Sequence, residues 1–217
     1  GKGVPALARR LRRRAAALGL GYREKRAGRD AFTARRALPD GREVFVLSFA
    51  RRMLVALCLD DLGYRWAAAK RIAALPCRLT GAIIPHTPHA RATAALLRSR
   101  GKEVFVHLPM ESTYPMADVP EYADLIREGL SAEEVRGRIL RSLAAVPGAA
   151  GLNNHEGSKA TEDAPLMALV MRVVKERGLV FLDSRTTAGS LAWRAARSAG
   201  ARWARRRVFL DDPADTA

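Results

Sequence analysis

The sequence predicts an α/β fold built on a parallel sheet, and three observations carry that expectation. From Arg52 onward, apolar runs of strand length alternate with segments of helical periodicity. The runs are continuous rather than alternating in polarity, which is the pattern of strands covered on both faces. Each run ends in a cluster of polar residues, as expected if the strand tips share one edge of a parallel sheet. Six runs suit either an open doubly wound sheet or an incomplete β/α barrel.

The first fifty residues read differently. Val4, Leu7, Leu11, Ala15 and Leu18 recur at helical spacing with Arg9, Arg10, Arg12, Arg13 and Arg14 between them, predicting a basic amphipathic helix over 4–18. Ala31–Leu38 and Glu43–Phe49 read as two strands around the turn signal Pro39-Asp40-Gly41. The expected organisation is a helix-plus-hairpin appendage over 1–50 and an α/β domain over 51–217. The chain has 217 residues, with 38 Lys+Arg against 22 Asp+Glu for a net charge of +16. Residues 1–52 carry 15 of the basic residues and 4 of the acids, which reads either as a solvated basic face of an Arg-rich, Ala-rich composition, with the helix packed on the main domain, or as a contact for an anionic surface through residues 1–50. With 13 aromatic residues and no stacking pattern among the arginines, no specific nucleic-acid recognition is expected. No Gly-rich phosphate loop is present. No apolar stretch reaches the roughly 18 residues of a membrane span. No leader pattern follows Gly1, so a processed or trimmed N-terminus is expected. The two cysteines, Cys58 and Cys77, make no disulfide framework.

In order, the predicted strands are Leu54–Leu59, Leu79–Ile84, Val104–Val106, Ala149–Leu152, Leu179–Leu182 and Val208–Leu210. Helical patterns separate them near 64–75, 89–100, 132–145, 163–177 and 188–199. Ser131 and Glu134 have the spacing of a capping box before the third helix, and Gly178 follows a basic last turn after the fourth.

The polar tips are Asp60-Asp61; His86 and His89 among prolines; His107 with Glu111 beyond it; Asn153-Asn154-His155 with Gly157-Ser158; Asp183-Ser184-Arg185-Thr186; and Asp211-Asp212. Adjacent acids at the end of a buried strand repel each other unless something binds them. A divalent metal is one resolution, and a helix N-cap with a solvated neighbour is the other. A sheet without a site there would need caps, not histidines and acids. An aspartate and histidines from separate tips suit zinc or a similar divalent ion, with positions left for water and substrate. His107 and His155 are the candidate ligands, and His86 and His89 are left outside the set. Glu111 is a candidate second-sphere or substrate contact. Asp183 and Arg185 have the spacing to pair, either as a structural salt bridge or with Arg185 free to stabilise developing negative charge.

Together, Leu-Asp-Asp-Leu-Gly-Tyr (59–64), Ile-Ile-Pro (83–85), Val-His-Leu-Pro-Met-Glu (106–111), Gly-Leu-Asn-Asn-His-Glu-Gly-Ser (151–158), Phe-Leu-Asp-Ser-Arg-Thr-Thr (181–187) and Val-Phe-Leu-Asp (208–211) resemble the divergent polysaccharide deacetylase family. The resemblance runs from about Met53 to Asp211. It implies a distorted or incomplete β/α barrel of parallel strands with outer helices. It also implies metal-dependent removal of acetyl from N-acetylated sugars of an envelope polysaccharide, with a glycan substrate and a periplasmic or envelope location. Asp60 then takes the place of the catalytic base and Asp61 that of a metal ligand, with His107 and His155 completing the set. Glu111, Asn153, Asn154, Ser158, Asp183 and Arg185 are expected to contact substrate or support the ligands. The family pattern continues into a helix and a Gly-His-Pro segment that this sequence lacks. The domain is therefore expected to lack its C-terminal end and to leave the general acid unassigned. The alternative expectation is a catalytically impaired protein of the same fold that binds glycan or an envelope partner.

Overall fold

The computed structural model describes residues 55–115 and 119–210, together with residue 13 and the course of the chain at 21–26, 31–37 and 43–50. The chain divides into two compact units, Gly1–Val55 and Ala56–Ala217. In the first, β1 (Gly21–Arg26), β2 (Ala31–Ala37) and β3 (Glu43–Ala50) form an antiparallel sheet in the order β1-β2-β3. The hairpin of β2 and β3 is the one the sequence predicts. The strand β1 was missed, because Gly21–Arg26 alternates charge with little apolar content. Of the expected helix over 4–18, only Arg13, which is helical, is among the described residues.

The second unit contains β4 (Cys58–Leu62), β5 (Thr80–Ile83), β6 (Glu103–Met110), β7 (Gly151–Glu156), β8 (Val180–Asp183) and β9 (Arg202–Arg205). These pair in strict sequential order, and every pairing is parallel. Between them run α1 (Trp66–Ala73), α2 (Ala90–Ser99), α3 (Ala132–Ala145), α4 (Ala164–Glu176) and α5 (Ala192–Ala199). A doubly wound sheet reverses its strand order; this one does not. Right-handed crossovers without a reversal put the helices on one face. Accordingly α1 packs on α2, and α4 packs on both α3 and α5.

The core lies between that helical layer and the sheet. Val104, Val106, Leu108 and Met110 of β6, Leu152 of β7 and Phe181 of β8 are fully or almost fully buried, together with Leu97, Ile139, Met167, Val170 and Met171 from the helices. Burying a side chain of this size stabilises the fold by about 1.5–3 kcal/mol. The other face of β6 carries Phe105 and His107 and is also buried, which explains a run with no polarity alternation. Helix α3 starts at the predicted capping box: Glu134 N–H donates to Ser131 Oγ at 3.2 Å, and Ser131 N–H to Glu134 Oε2 at 2.8 Å. Among the described residues, no helix is long and apolar enough to cross a membrane.

The sheet is strongly curled. Strands lie about 4.8 Å apart, so β4 and β7 would be separated by about 14 Å in a flat sheet. Yet Asn153 of β7 donates to Asp60 of β4 at 2.9 Å. The sheet therefore wraps toward the face opposite the helices, giving the open arc of an incomplete barrel.

The sixth strand corrects the sequence expectation. It is Arg202–Arg205, not Val208–Leu210. An edge strand has one neighbour and no need of an apolar run, and all four of its residues are exposed. Val208, Phe209 and Leu210 follow it as exposed chain. Asp211 and Asp212 lie outside the described residues.

Gly151 marks a close approach of β7 to the backbone of β8. A Cβ there would lie 2.5 Å from the Val180 carbonyl oxygen and 2.6 Å from Phe105 Cζ. Gly151→Ala is expected to destabilise the protein by about 1–3 kcal/mol, read as a lower urea midpoint. An unchanged midpoint would show that β7 and β8 are not packed this tightly.

Candidate metal centre

Neighbouring residues of a regular strand point to opposite faces, so Asp60 and Asp61 should not share a site. Strand β4 breaks that rule. Leu59 pairs with Gly81 and Leu62 with Ile83, so three steps on β4 oppose two on β5. This is a bulge of one residue, and Asp61 adopts φ 59° within it. Aspartate tolerates this left-handed conformation better than most residues. As a result both carboxylates reach the concave face of the arc.

Register delivers the histidines. His107 pairs with Asn153, and Pro109 with His155, so His107, Asn153 and His155 share that face. Asp61 Oδ1 lies 3.2 Å from His107 Nε2 and 3.2 Å from His155 Nδ1. The ligand atoms of Asp61, His107 and His155 all lie within 4.8 Å of one another. The two imidazoles meet edge to face, with centroids 4.8 Å apart. His107 is buried, whereas 66% of the Asp61 side chain is exposed, so the cluster is walled on one side and open on the other.

Asn153 fixes the chemistry of this cluster. It is fully buried. Its Oδ1 lies 3.0 Å from His107 Nδ1, and its Nδ2 donates to Asp60 Oδ1 at 2.9 Å and to Ser184 Oγ at 3.3 Å. The opposite amide orientation would set a carbonyl oxygen against the Asp60 carboxylate. Because Oδ1 only accepts, His107 Nδ1 must carry a proton. Nε2 of the neutral ring then presents its lone pair to a carboxylate oxygen 3.2 Å away. That approach is repulsive unless a cation lies between them or the ring takes a second proton. A carboxylate and two imidazole nitrogens are the donor set of a divalent transition metal, zinc first. The residues therefore fit a metal ion.

Asp60 is held apart from this set. Its Oδ1 accepts from Asn153 and from Cys58 Sγ at 3.3 Å. Burial and the neighbouring Asp60 carboxylate push the Cys58 thiol far above its ordinary range, so it stays protonated.

The remaining candidates are used within loops. Glu111 accepts from Lys159 Nζ at 2.8 Å and from the Glu128 N–H at 2.9 Å, joining two loops. Asn154 accepts from the Ser184 N–H at 2.8 Å and donates to the Glu156 carbonyl at 2.7 Å. Ser158 Oγ accepts from the Thr113 N–H at 2.9 Å. Buried Asp183 accepts from the Arg185 N–H at 2.9 Å and from Ser190 Oγ at 3.0 Å. Among the described residues, no ion pair joins Asp183 to the Arg185 guanidinium. His86 pairs with buried Asp124 at 2.7 Å, and His89 lies against Trp66, so neither joins the cluster.

Sequence reasoning missed the rim. Tyr64 Oη donates to Glu121 Oε1 at 2.5 Å, and Tyr122 Oη lies 3.2 Å from His155 Nε2. Tyr64 had a signal, three residues beyond Asp61 in the quoted motif. Tyr122 sits in a connection with no periodicity to mark it.

When the two rings carry a second proton, hydrogen bonds from His107, and then from His155, hold the Asp61 carboxyl well below the usual aspartate range, against partial burial that raises it. A folded-state value below the unfolded one contributes stability at pH above the ordinary aspartate value, and that stability is lost as pH falls below it. In metal-free protein, Asp61→Asn should therefore lose less stability than wild type on acidification below about pH 4. Asparagine tolerates the left-handed φ, so the comparison isolates the charge. Parallel acid-unfolding curves for the two proteins would remove the coupling.

Comparison with known proteins supports the same frame. Residues 57–217 match the family model described as divergent polysaccharide deacetylase. An uncharacterised protein of Haemophilus influenzae is 39% identical over 165 residues, covering 76% of this chain and 58% of that protein. The uncharacterised protein YibQ of Escherichia coli is 37% identical over 163 residues, covering 75% and 50%. The chain thus spans between half and three-fifths of the length of these relatives. The crystal structure of an uncharacterised protein from Agrobacterium tumefaciens C58 superimposes with a TM-score of 0.65 at 25% identity, covering 73% of this chain and 64% of that one. With its curled α/β sheet and a family match over three-quarters of its length, this chain belongs to the divergent polysaccharide deacetylase family.

Proposed function

We propose that the protein is a divalent-metal-dependent hydrolase that removes acetyl groups from N-acetylated sugars of an envelope polysaccharide. The observation that carries this reading is the convergence of Asp61, His107 and His155 beside a second carboxylate, Asp60, that Asn153 holds out of the ligand set. Asp61, His107 Nε2 and His155 Nδ1 would hold the ion. When bound, such an ion polarises an amide carbonyl and makes water more acidic.

The protein's own groups supply the rest. Asp60 acts as general base. Both of its hydrogen bonds fall on Oδ1, which leaves Oδ2 to take a proton from the attacking water. Asn153 holds that carboxylate and the His107 ring in one fixed relation, so the base and the ligand keep their spacing during turnover. Arg185, at the tip of β8, is the side chain we assign to substrate contact. The open side of the cluster, at Asp61, admits the polymer. On this reading the protein works in the periplasm or cell envelope, where such polymers lie.

The test is metal content and acetate release from N-acetylglucosamine polymers. Wild type is expected to bind zinc or a related ion and to release acetate. His155→Ala should lose the metal. Asp60→Asn should keep the metal while acetate release falls by about 10²–10⁴-fold. Wild type without metal, or Asp60→Asn with undiminished release, overturns the proposal. Metal binding and glycan binding without acetate release would support the catalytically impaired alternative.

A further inference from the structure

Tyr122 ends a 3-10 turn, Pro120–Tyr122, in the long connection between β6 and α3. Its hydroxyl lies 3.2 Å from His155 Nε2 and 3.5 Å from Glu156 Oε1. A phenol has one proton to donate and lone pairs to accept with. A carboxylate only accepts, so the phenol proton points to Glu156. The oxygen then accepts from His155 Nε2, which must carry the imidazole proton. His155 Nδ1 is left with its lone pair toward Asp61, 3.2 Å away. This gives His155 the same arrangement that Asn153 gives His107: the distal nitrogen protonated and held, the proximal nitrogen free to bind.

Two further features show that the relay is built in. In a regular strand Glu156 would leave β7 on the face opposite His155. Instead Glu156 has φ 53°, followed by Gly157 at φ 85°, and this left-handed pair brings the carboxylate round to Tyr122. Tyr122 is also placed by groups other than His155. Its N–H donates to the Val119 carbonyl at 2.9 Å, its own carbonyl accepts from the Leu125 N–H at 2.9 Å, and the adjacent Glu121 is tied to Tyr64 beyond the β4 tip.

We propose that Tyr122, backed by Glu156, is a positioning residue that sets the tautomer and ring orientation of His155 for metal binding. The inference rests on the metal site of the proposed function and goes beyond it by assigning the outer partner of that ligand. Outer partners of metal-bound histidines typically contribute about 10–100-fold to metal affinity.

The test is titration of the full chain with zinc against a chromophoric chelator, together with the visible spectrum of the cobalt-loaded protein. Tyr122→Phe removes only the hydroxyl. It should weaken zinc binding by about 10–100-fold and alter the cobalt bands, while unfolding of the metal-free protein stays unchanged. Glu156→Gln should weaken binding in the same direction and less. It provides a second reading if the Tyr122 variant folds poorly. Wild-type zinc affinity and an unaltered cobalt spectrum in both variants overturn the relay alone. Wild type that binds no zinc overturns the metal centre and the relay with it.

Discussion

The site depends on the curl of the sheet. Asp60 leaves β4 and Asn153 leaves β7, with two strands between them, and they meet at 2.9 Å only because the arc closes on its concave face. Through Asn153 that closure reaches His107, whose tautomer it fixes. The spacing of Asp60 and His107 is therefore a property of the whole sheet rather than of any loop. Buried polar networks of this kind are costly if any member lacks a partner. Here the amide carries three contacts, and each of them lies on the functional side.

Local strain accompanies the arrangement. Among the described residues, the non-glycine residues with positive φ are Asp61, His86, Glu156 and Arg185. All four sit at or just past the C-terminal end of a strand: β4, β5, β7 and β8. Left-handed backbone disfavours an L-residue by about 1–2 kcal/mol, and strained positions of this kind cluster at functional edges. In two of the four the effect is visible in the contacts. Asp61 joins Asp60 on one face, and Glu156 is turned toward Tyr122. The opposite edge of the sheet shows no such residue among those described.

Much of this was legible in the residues. The α/β alternation, the capping box at Ser131, five of the six parallel strands and the ligand candidates His107 and His155 follow from pattern and chemistry, whereas the choice of Asp61 over Asp60 came from the family resemblance. Besides β1 and the rim tyrosines, three things did not follow, each for a physical reason. The edge strand Arg202–Arg205 has no second neighbour and so no apolar run, while Val208–Leu210 imitated one. The bulge in β4 is a matter of register against β5, which one strand's sequence does not encode. Glu111, Asn154 and Ser158 each accept from a backbone N–H of another loop, and Asp183 from the Arg185 N–H of its own, and side-chain type alone cannot say whether such a group faces a substrate or a neighbouring N–H.

The sequential strand order bears on how the molecule assembles. Each strand pairs only with strands adjacent in the chain, so partial arcs of two or three βα units have most of the contacts they will ever make. The candidate ligands, however, come from β4, β6 and β7, and no shorter stretch of the chain contains all three. An ion cannot nucleate this fold in the way it does a small zinc module. An ion held by Asp61, His107 and His155 would be captured only once four consecutive strands have curled together. It would then stabilise the assembled arc by mass action, so that occupancy would report closure of the sheet.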